Sequence, residues 1–384
     1  MNTTVGIMSM QRIYNYGSSL QAYGLRRLVE SLDPGAKVSY LEYRPGPTLV
    51  PSAQPLSPAM RSMAKVREYG QTKAPLTDKL RFFRHKGRYG RRYLPMLGLD
   101  DAPAAHPLSL QLIGSDEVFN CVQDNTNVGY SRDLFGQPRQ GHMLASYAAS
   151  FGNTTLEKVR SAGIEDTLGE DLAAFDHLSV RDRNSSELVL ALTGREPDIH
   201  VDPVLAYPFM NDEPRIPEQR QHHAPYLIVY GYSGRLSREE NNDLRRYADA
   251  QGVQILSFGG VQECADRFID CDPFELLAYF RDCVGVVTDT FHGTIFSVIN
   301  QKPFCTIIRS SSGQGYGNEE KLGYLLDLLG LSERRLDVKG DLAETLAEPL
   351  DGSAVDLVLT KERLRSQRYL QRVLEAARRD GFVD

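Results

Sequence analysis

The sequence contains no tryptophan and only five cysteines in 384 residues. The cysteines form no CxxC pair and are irregularly spaced, which predicts reduced thiols and no disulfide framework. Neither they nor the eight histidines show the spacing of zinc ligands. We therefore expect no bound metal.

Familiar catalytic fingerprints are missing as well. The sequence has no GxGxxG, Walker, HExxH or GxSxG motif. Nicotinamide chemistry, the common ATP-binding loops and zinc hydrolysis are therefore disfavoured, and we expect no cofactor.

Long apolar runs and an excess of positive charge are also lacking. No uninterrupted apolar stretch approaches the roughly 20 residues of a membrane-spanning helix. The net charge of −6 disfavours a general nucleic-acid binder. Residues 1–10 lack the basic and apolar regions of a secretory signal, so we expect a cytoplasmic protein.

The sequence does contain a regular alternation of short apolar runs and helical periodicity. Such alternation predicts parallel sheets, and a chain of this length predicts two domains of about 150 residues each. We therefore expect an α/β protein with two doubly wound, Rossmann-like domains facing across a cleft. The predicted boundaries are 1–210 for the N-terminal domain, 225–354 for the C-terminal domain, and 355–384 for a helix that packs back across both. We expect the N-terminal domain to bind the acceptor substrate.

Ligands bind outside the carboxyl ends of parallel strands, so polar residues after predicted strands are candidate site residues. These residues are Gly17, Ser18, Ser115, Asp116, Arg181, Arg183 and Asp202 in the first half, and Gly231, Ser233, Gly234 and His292 in the second. They predict a cleft with arginines on one side and a histidine on the other.

His292 lies in a turn between the apolar run 284–288 and a helical pattern that begins at Ile295. An imidazole near neutral pKa can donate or accept a proton, and the first turn of the helix offers unpaired N–H groups to an anion. The alternative is a helix-capping turn in which the histidine packs locally.

The charged residues of the first half have structural alternatives of their own. Arg181 is interpreted either as an anion-binding fork or as a surface salt bridge. Asp116 is a base or an orienting acceptor, or else a helix N-cap. For Asp202, which precedes Pro203, the sequence favours a structural turn over chemistry.

Residues 61–92 hold eleven Lys and Arg against two Asp and Glu. The favoured interpretation is a solvated helical face with a mobile linker. The alternative is a platform for an anionic acceptor, or a segment that makes peripheral contact with the inner face of the cell membrane.

Six segments, taken in order, resemble the polysaccharide pyruvyl transferases. The segments are NYGSSLQAYGL (15–25), GSDEVFN (114–120), YAASFG (147–152), SVRDRNS (179–185), DPVL (202–205) and TDTFHGTIFSVINQKPF (288–304). The resemblance runs from about residue 5 to about residue 335. It departs from the family pattern at Phe119, where the family has tryptophan, and at Thr290, where one branch has arginine.

The resemblance implies transfer of a pyruvyl unit from phosphoenolpyruvate, as co-substrate, to two hydroxyls of one sugar, which forms a pyruvate ketal. It also implies a two-domain fold similar to the GT-B glycosyltransferases and an acceptor that is a cell-surface glycan or a lipid-linked sugar. His292 is the implied general acid, Arg181 the anion clamp, and Asp116 the group that deprotonates or orients the acceptor hydroxyl. The implied substrate-binding residues are Gly17, Ser18, Arg183, Asp202, Ser233, Thr290, Phe291, Gly293 and Arg309.

Three questions stay open at this stage. The anion partner that replaces the arginine missing at Thr290 is Arg181, Arg183 or Arg309. The alternative functions are a GT-B glycosyltransferase that uses a nucleotide sugar, and a non-enzymatic scaffold that kept the fold. The acceptor sugar and the oligomeric state are not specified by the sequence.

Overall fold

The structure is a computed structural model. It describes residues 3–49, 72–100, 107–309, 318–336 and 341–380. The first eleven residues of the basic segment 61–92 therefore lie outside the described residues. None of the helices in these ranges is both long and apolar enough to cross a bilayer.

Two six-stranded parallel sheets form the framework. The strands of the first sheet are β1 (Thr4–Met8), β2 (Lys37–Tyr40), β3 (Leu108–Asp116), β4 (Gly141–Ala149), β5 (Ser179–Val180) and β6 (Asp198–Ile199). Those of the second are β7 (Tyr226–Tyr230), β8 (Gln254–Phe258), β9 (Arg267–Phe268), β10 (Gly285–Thr288), β11 (Phe304–Ile307) and β12 (Arg335–Leu336).

The strand orders are β2-β1-β3-β4-β5-β6 in the first sheet and β12-β11-β10-β7-β8-β9 in the second. Neighbouring strands within each sheet are parallel. The predicted pair of doubly wound, Rossmann-like domains is thus confirmed. The strand β7 is buried along its whole length, as expected for a strand covered by helices on both faces.

Helices connect and cover the strands. In the first half they span Tyr16–Leu32, Leu76–Met96, Leu156–Ser161, Glu165–Ala173, Arg183–Thr193, Pro203–Ala206 and Phe209–Asp212. In the second half they span Arg238–Gln251, Pro273–Asp282, Phe291–Ile299, Glu319–Leu329, Leu342–Ala347 and Gly352–Asp380.

The last helix, Gly352–Asp380, contacts both domains. Near its start, Gln301 of the second domain donates from Nε2 to Oδ1 of Asp356 over 2.8 Å. Farther along, the hydroxyl of Tyr369 donates to the carbonyl oxygen of Ser146 in β4 over 2.7 Å. The helix therefore crosses from the second sheet to the first.

The basic helix Leu76–Met96 also joins the domains. Its Asp78 accepts a hydrogen bond from the backbone N–H of Phe268 in β9, and Nδ1 of His85 lies 2.8 Å from Oδ1 of Asp270. The solvated face is therefore one side of this helix, and the opposite side is buried in part against the second domain.

A third link between the domains is an ion pair. Nζ of Lys321, in the helix Glu319–Leu329, lies 2.8 Å from Oε1 of Glu117, which follows β3. The attraction of Lys321 lowers the pKa of Glu117 from 4.5 to about 2. The unfolded chain binds the Glu117 proton near the ordinary pKa, so between these two values it holds more protons than the folded chain.

We expect the stabilisation by Glu117 to be present above pH 4.5 and to disappear as the pH falls toward 2. Denaturant unfolding of the wild type and of Glu117→Gln should give free energies that differ above pH 4.5 and converge below it. Glu375→Gln, on the exposed side of the last helix, is the control. A difference between wild type and Glu117→Gln that stays constant across this range would contradict the prediction.

Candidate active site

Asp202 lies at the centre of the cluster that joins the two domains. Its Oδ1 accepts from the backbone N–H of Val204 over 2.9 Å and caps the short helix Pro203–Ala206. Its Oδ2 accepts from Nη1 of Arg181 over 3.0 Å and lies 3.5 Å from Nε2 of His292. The expected structural turn is present, but the interpretation as a turn alone is wrong, because the second oxygen contacts both candidate catalytic side chains.

The charge of Asp202 is stabilised by these neighbours. Burial acts to raise the pKa of this carboxyl group, but His292 and Arg181 outweigh it and hold the pKa below its ordinary value. Asp202 is therefore a buried anion.

Arg181 is buried, with 4 % of its surface exposed, so its interpretation as a surface salt bridge is wrong. Besides Asp202, its Nη1 lies 3.8 Å from Oδ1 of Asp116, and its guanidinium carbon is 4.2 Å from the centre of the Phe291 ring. Burial acts to lower its pKa, but the carboxylates of Asp202 and Asp116 outweigh that effect and raise it. The Nε–H group of Arg181 is buried and has no acceptor among the described residues, so it is free to bind a ligand.

His292 is the second residue of the helix Phe291–Ile299. The hydroxyl of Thr290 caps this helix by accepting from the backbone N–H of Gly293 over 3.0 Å. The role of Thr290 in the structure is therefore that of the N-cap, and the cap fixes the direction in which His292 leaves the helix. Nε2 of His292 makes no hydrogen bond within the described part of the chain.

Two glycines permit this arrangement. A Cβ at Gly293 would overlap the side chain of Thr288, so only glycine fits inside the turn. A Cβ at Gly17, in the first turn of the helix Tyr16–Leu32, would overlap the imidazole of His292. The group that Gly17 approaches is therefore the histidine of the other domain.

Asp116 ends β3 and has a φ of 74°, a left-handed conformation that is uncommon outside glycine and asparagine. Its Oδ2 accepts from the hydroxyl of Ser18 over 2.7 Å, and a turn follows it in place of a helix. The helix-cap interpretation of Asp116 is therefore wrong. Together with the contact to Arg181, this hydrogen bond places Asp116 and Ser18 beside the Asp202 cluster.

The other predicted binding residues have different surroundings. Ser233 accepts from the backbone N–H of Val261 over 2.9 Å and closes a loop. Arg183 begins the helix Arg183–Thr193 and is exposed. Arg309 donates from Nη2 to Glu240 over 3.0 Å, away from the Arg181 cluster. The structure thus gathers Gly17, Ser18, Asp116, Arg181, Asp202, Phe291 and His292, and leaves Ser233, Arg183 and Arg309 outside.

Asp289 is a buried group that the sequence did not single out. Its side chain is 1 % exposed, and neither carboxylate oxygen has a hydrogen-bond partner among the described residues. Burial raises its pKa, and the arginines Arg235 and Arg309, at 3.8 and 3.7 Å, oppose that rise. The only signal in the sequence is its position directly after β10, beside Thr290.

A narrow crevice of about 10 Å³ lies between the domains beside this cluster. The residues around it come from both halves of the chain and include several aromatic rings: Asn15, Tyr16, His85, Lys86, Tyr230, Gly231, Tyr232, Gly259 and Thr290. The crevice is therefore an interdomain one, and its volume is about that of a single water molecule. No group of three or more potential metal-binding side chains occurs within the described ranges.

We expect Gly17→Ala to lower the free energy of unfolding by about 1–3 kcal/mol, because the added methyl group overlaps His292 and forces the domains apart. Thermal and denaturant unfolding measure this loss. Gly323→Ala is the matched control, since its Cβ would meet its nearest neighbour at an ordinary 3.7 Å. Equal stability of Gly17→Ala and wild type would mean that the helix Tyr16–Leu32 is not in close contact with His292.

The chain matches the model of one protein family, polysaccharide pyruvyl transferase, over residues 15–311. None of the curated proteins matches it in sequence.

Among solved structures, the chain is similar to UDP-N-acetylglucosamine 2-epimerase from Rickettsia bellii, with 12% identity, coverage of 100% of this chain and 99% of that one, and a TM-score of 0.49. It is also similar to the glycosyltransferase SnogD from Streptomyces nogalater, with 13% identity, coverage of 99% and 100%, and a TM-score of 0.44. The family match spans the strands β2 to β11, the Asp202 cluster and the turn that carries His292, and this protein therefore belongs to the polysaccharide pyruvyl transferase family.

Proposed function

We propose that this protein transfers a pyruvyl unit from phosphoenolpyruvate to two hydroxyls of one sugar in a cell-surface polysaccharide or its precursor. The observation that carries the proposal is the buried Arg181–Asp202–His292 cluster at the strand ends of a member of this family. Phosphoenolpyruvate is a co-substrate in this reaction, and no other cofactor is needed.

The proposed reaction balances in two steps. The first acceptor hydroxyl adds to the central carbon of phosphoenolpyruvate, and the methylene carbon takes up a proton and becomes a methyl group. The second hydroxyl displaces phosphate from the same carbon, and its proton leaves with the phosphate. The products are the pyruvate ketal and inorganic phosphate, with no oxidant or reductant.

His292 is the proposed donor of the proton to the methylene carbon. Its imidazole lies at the helix start that faces the other domain, and its Nε2 is 3.5 Å from the Asp202 carboxylate. A positioned acid of this kind contributes roughly a hundredfold to ten-thousandfold in rate.

Arg181 is the proposed anion clamp. Phosphoenolpyruvate carries a carboxylate and a phosphate, both of which suit a guanidinium, and the buried Nε–H of Arg181 has no acceptor among the described residues. Stacking on Phe291 holds the plane of the guanidinium beside the first turn of the histidine helix. Of the three arginines considered as replacements for the one missing at Thr290, Arg181 is therefore our choice.

Asp116 is proposed to orient or deprotonate an acceptor hydroxyl. Its Oδ2 already accepts a hydrogen bond from the hydroxyl of Ser18, so a sugar hydroxyl can occupy the same kind of position. The neighbouring positive charge of Arg181 keeps this carboxylate within a network of fixed geometry.

Incubation of the purified protein with phosphoenolpyruvate and a panel of sugars and lipid-linked glycans tests the proposal. We expect phosphate release together with a mass gain of one pyruvate ketal on the acceptor. Phosphoenolpyruvate is also expected to raise the melting temperature, since a ligand that binds the folded state stabilises it. Stabilisation by uridine diphosphate alone, without turnover of phosphoenolpyruvate, would favour the nucleotide-sugar alternative and contradict the proposal.

We expect His292→Gln to lower kcat by a factor on the order of a hundred or more, because it removes the group that donates the proton. Steady-state phosphate release measures the effect. His142→Gln makes the same chemical change at an exposed position and is the control. A His292→Gln enzyme with the kcat of the wild type would exclude His292 as the acid.

We expect Arg181→Lys to raise the KM for phosphoenolpyruvate far more than the KM for the acceptor, because lysine keeps the charge but loses the planar fork. Separate saturation curves for the two substrates measure this. Equal changes in both KM values would place Arg181 in a general structural role.

A further inference from the structure

The outer face of the helix Leu76–Met96 has a composition unlike the rest of the protein. The chain has a net charge of −6, yet this helix carries seven lysines and arginines and a single aspartate. The inner face is fixed on the second domain through Phe82, His85 and Tyr93 and on the first through Tyr89, and all four side chains are buried. The outer face is therefore presented in one defined orientation.

Leucines stand at the start of this outer face. Leu76 is 76% exposed and Leu80 is 68% exposed, and they lie one turn apart on the same side of the helix. Two adjacent leucines with most of their surface in water lose the free energy that burial would supply. A partner that covers them must therefore be at least partly apolar.

Three arginines continue the same side of the helix. Arg84, Arg88 and Arg91 follow Leu80 at intervals of four, four and three residues, and all three are exposed. None of them forms an ion pair within the described ranges. Their charges are thus not neutralised by neighbouring carboxylates, and they are available to an anionic surface.

Exposed leucines joined to unneutralised arginines on one helix face fit the interface of a lipid bilayer. The leucines enter the boundary of the acyl chains, while the arginines contact anionic headgroups. A nucleic acid would neutralise the arginines but would leave the leucines in water, and an acidic protein would need an apolar patch in register with them. An anionic bilayer supplies both the anionic layer and the apolar layer, so it matches the leucines and the arginines of this face.

We propose that the outer face of the helix Leu76–Met96, formed by Leu76, Leu80, Arg84, Arg88 and Arg91, binds to an anionic lipid bilayer. The same helix contributes His85 and Lys86 to the wall of the interdomain crevice. Binding would therefore hold this edge of the interdomain crevice beside the membrane surface, from which a sugar attached to a lipid would approach the protein. Only this last consequence rests on the proposed function; the binding itself does not.

Sedimentation of the full-length protein with lipid vesicles tests the proposal directly. We expect binding to vesicles that contain phosphatidylglycerol, weaker binding at high salt, and no binding to vesicles of phosphatidylcholine alone. The triple variant Arg84→Gln, Arg88→Gln, Arg91→Gln should lose affinity by a factor on the order of a hundred. The charge-matched control is Arg160→Gln, Arg246→Gln, Arg379→Gln, whose arginines are exposed elsewhere.

The double variant Leu76→Ser, Leu80→Ser separates a bilayer from other polyanions. It should bind the phosphatidylglycerol vesicles more weakly than the wild type does, while its affinity for soluble polyglutamate stays unchanged. All these positions are exposed, so circular dichroism and thermal unfolding should match the wild type. Absence of binding to anionic vesicles, an equal loss in the control triple variant, or binding that is indifferent to the leucines would each overturn the proposal.

Discussion

The interaction on which the site depends is the shared use of the Asp202 carboxylate. One oxygen caps a helix of its own domain, and the other lies between Arg181 of that domain and His292 of the second. A buried anion is costly unless it is paired, so Arg181 stabilises the carboxylate that lies against His292. The two domains therefore complete one charge cluster that neither would form alone.

Such a cluster needs the domains at a fixed separation, and several contacts supply it. Tyr16 donates from its hydroxyl to the carbonyl oxygen of Cys271 over 2.7 Å, close to the point where Gly17 touches His292. His85 pairs with Asp270 on one side of the crevice, and Glu117 pairs with Lys321 on the other. These contacts join the same two domains that supply Asp202 and His292.

The sequence was sufficient for the sheets and for part of the site. Period and turn signals predicted the parallel strands, and the rule that ligands bind at strand ends selected His292 and Arg181. The sequence did not predict the contacts of Asp202 with Arg181 and His292. Its neighbour Pro203 indicated a turn, but one carboxylate can cap a helix and also pair with charged groups that are distant in the sequence. Asp289 was missed for a related reason: its burial beside Arg235 arises only when three separate segments meet.

The charge count of the basic helix did not predict how the helix is oriented on the protein. The eleven positive residues of segment 61–92 indicated either a solvated face or a platform for an anionic acceptor. Their number alone does not say which side of the helix they occupy. Yet Phe82, Tyr89 and Tyr93 recur at helical spacing, and that period assigns one face to the protein interior. Once this face is docked on β9, the helix cannot rotate about its axis, and the arginines stay on the side that faces solvent. The docking thus fixes where on the protein surface the positive charge lies.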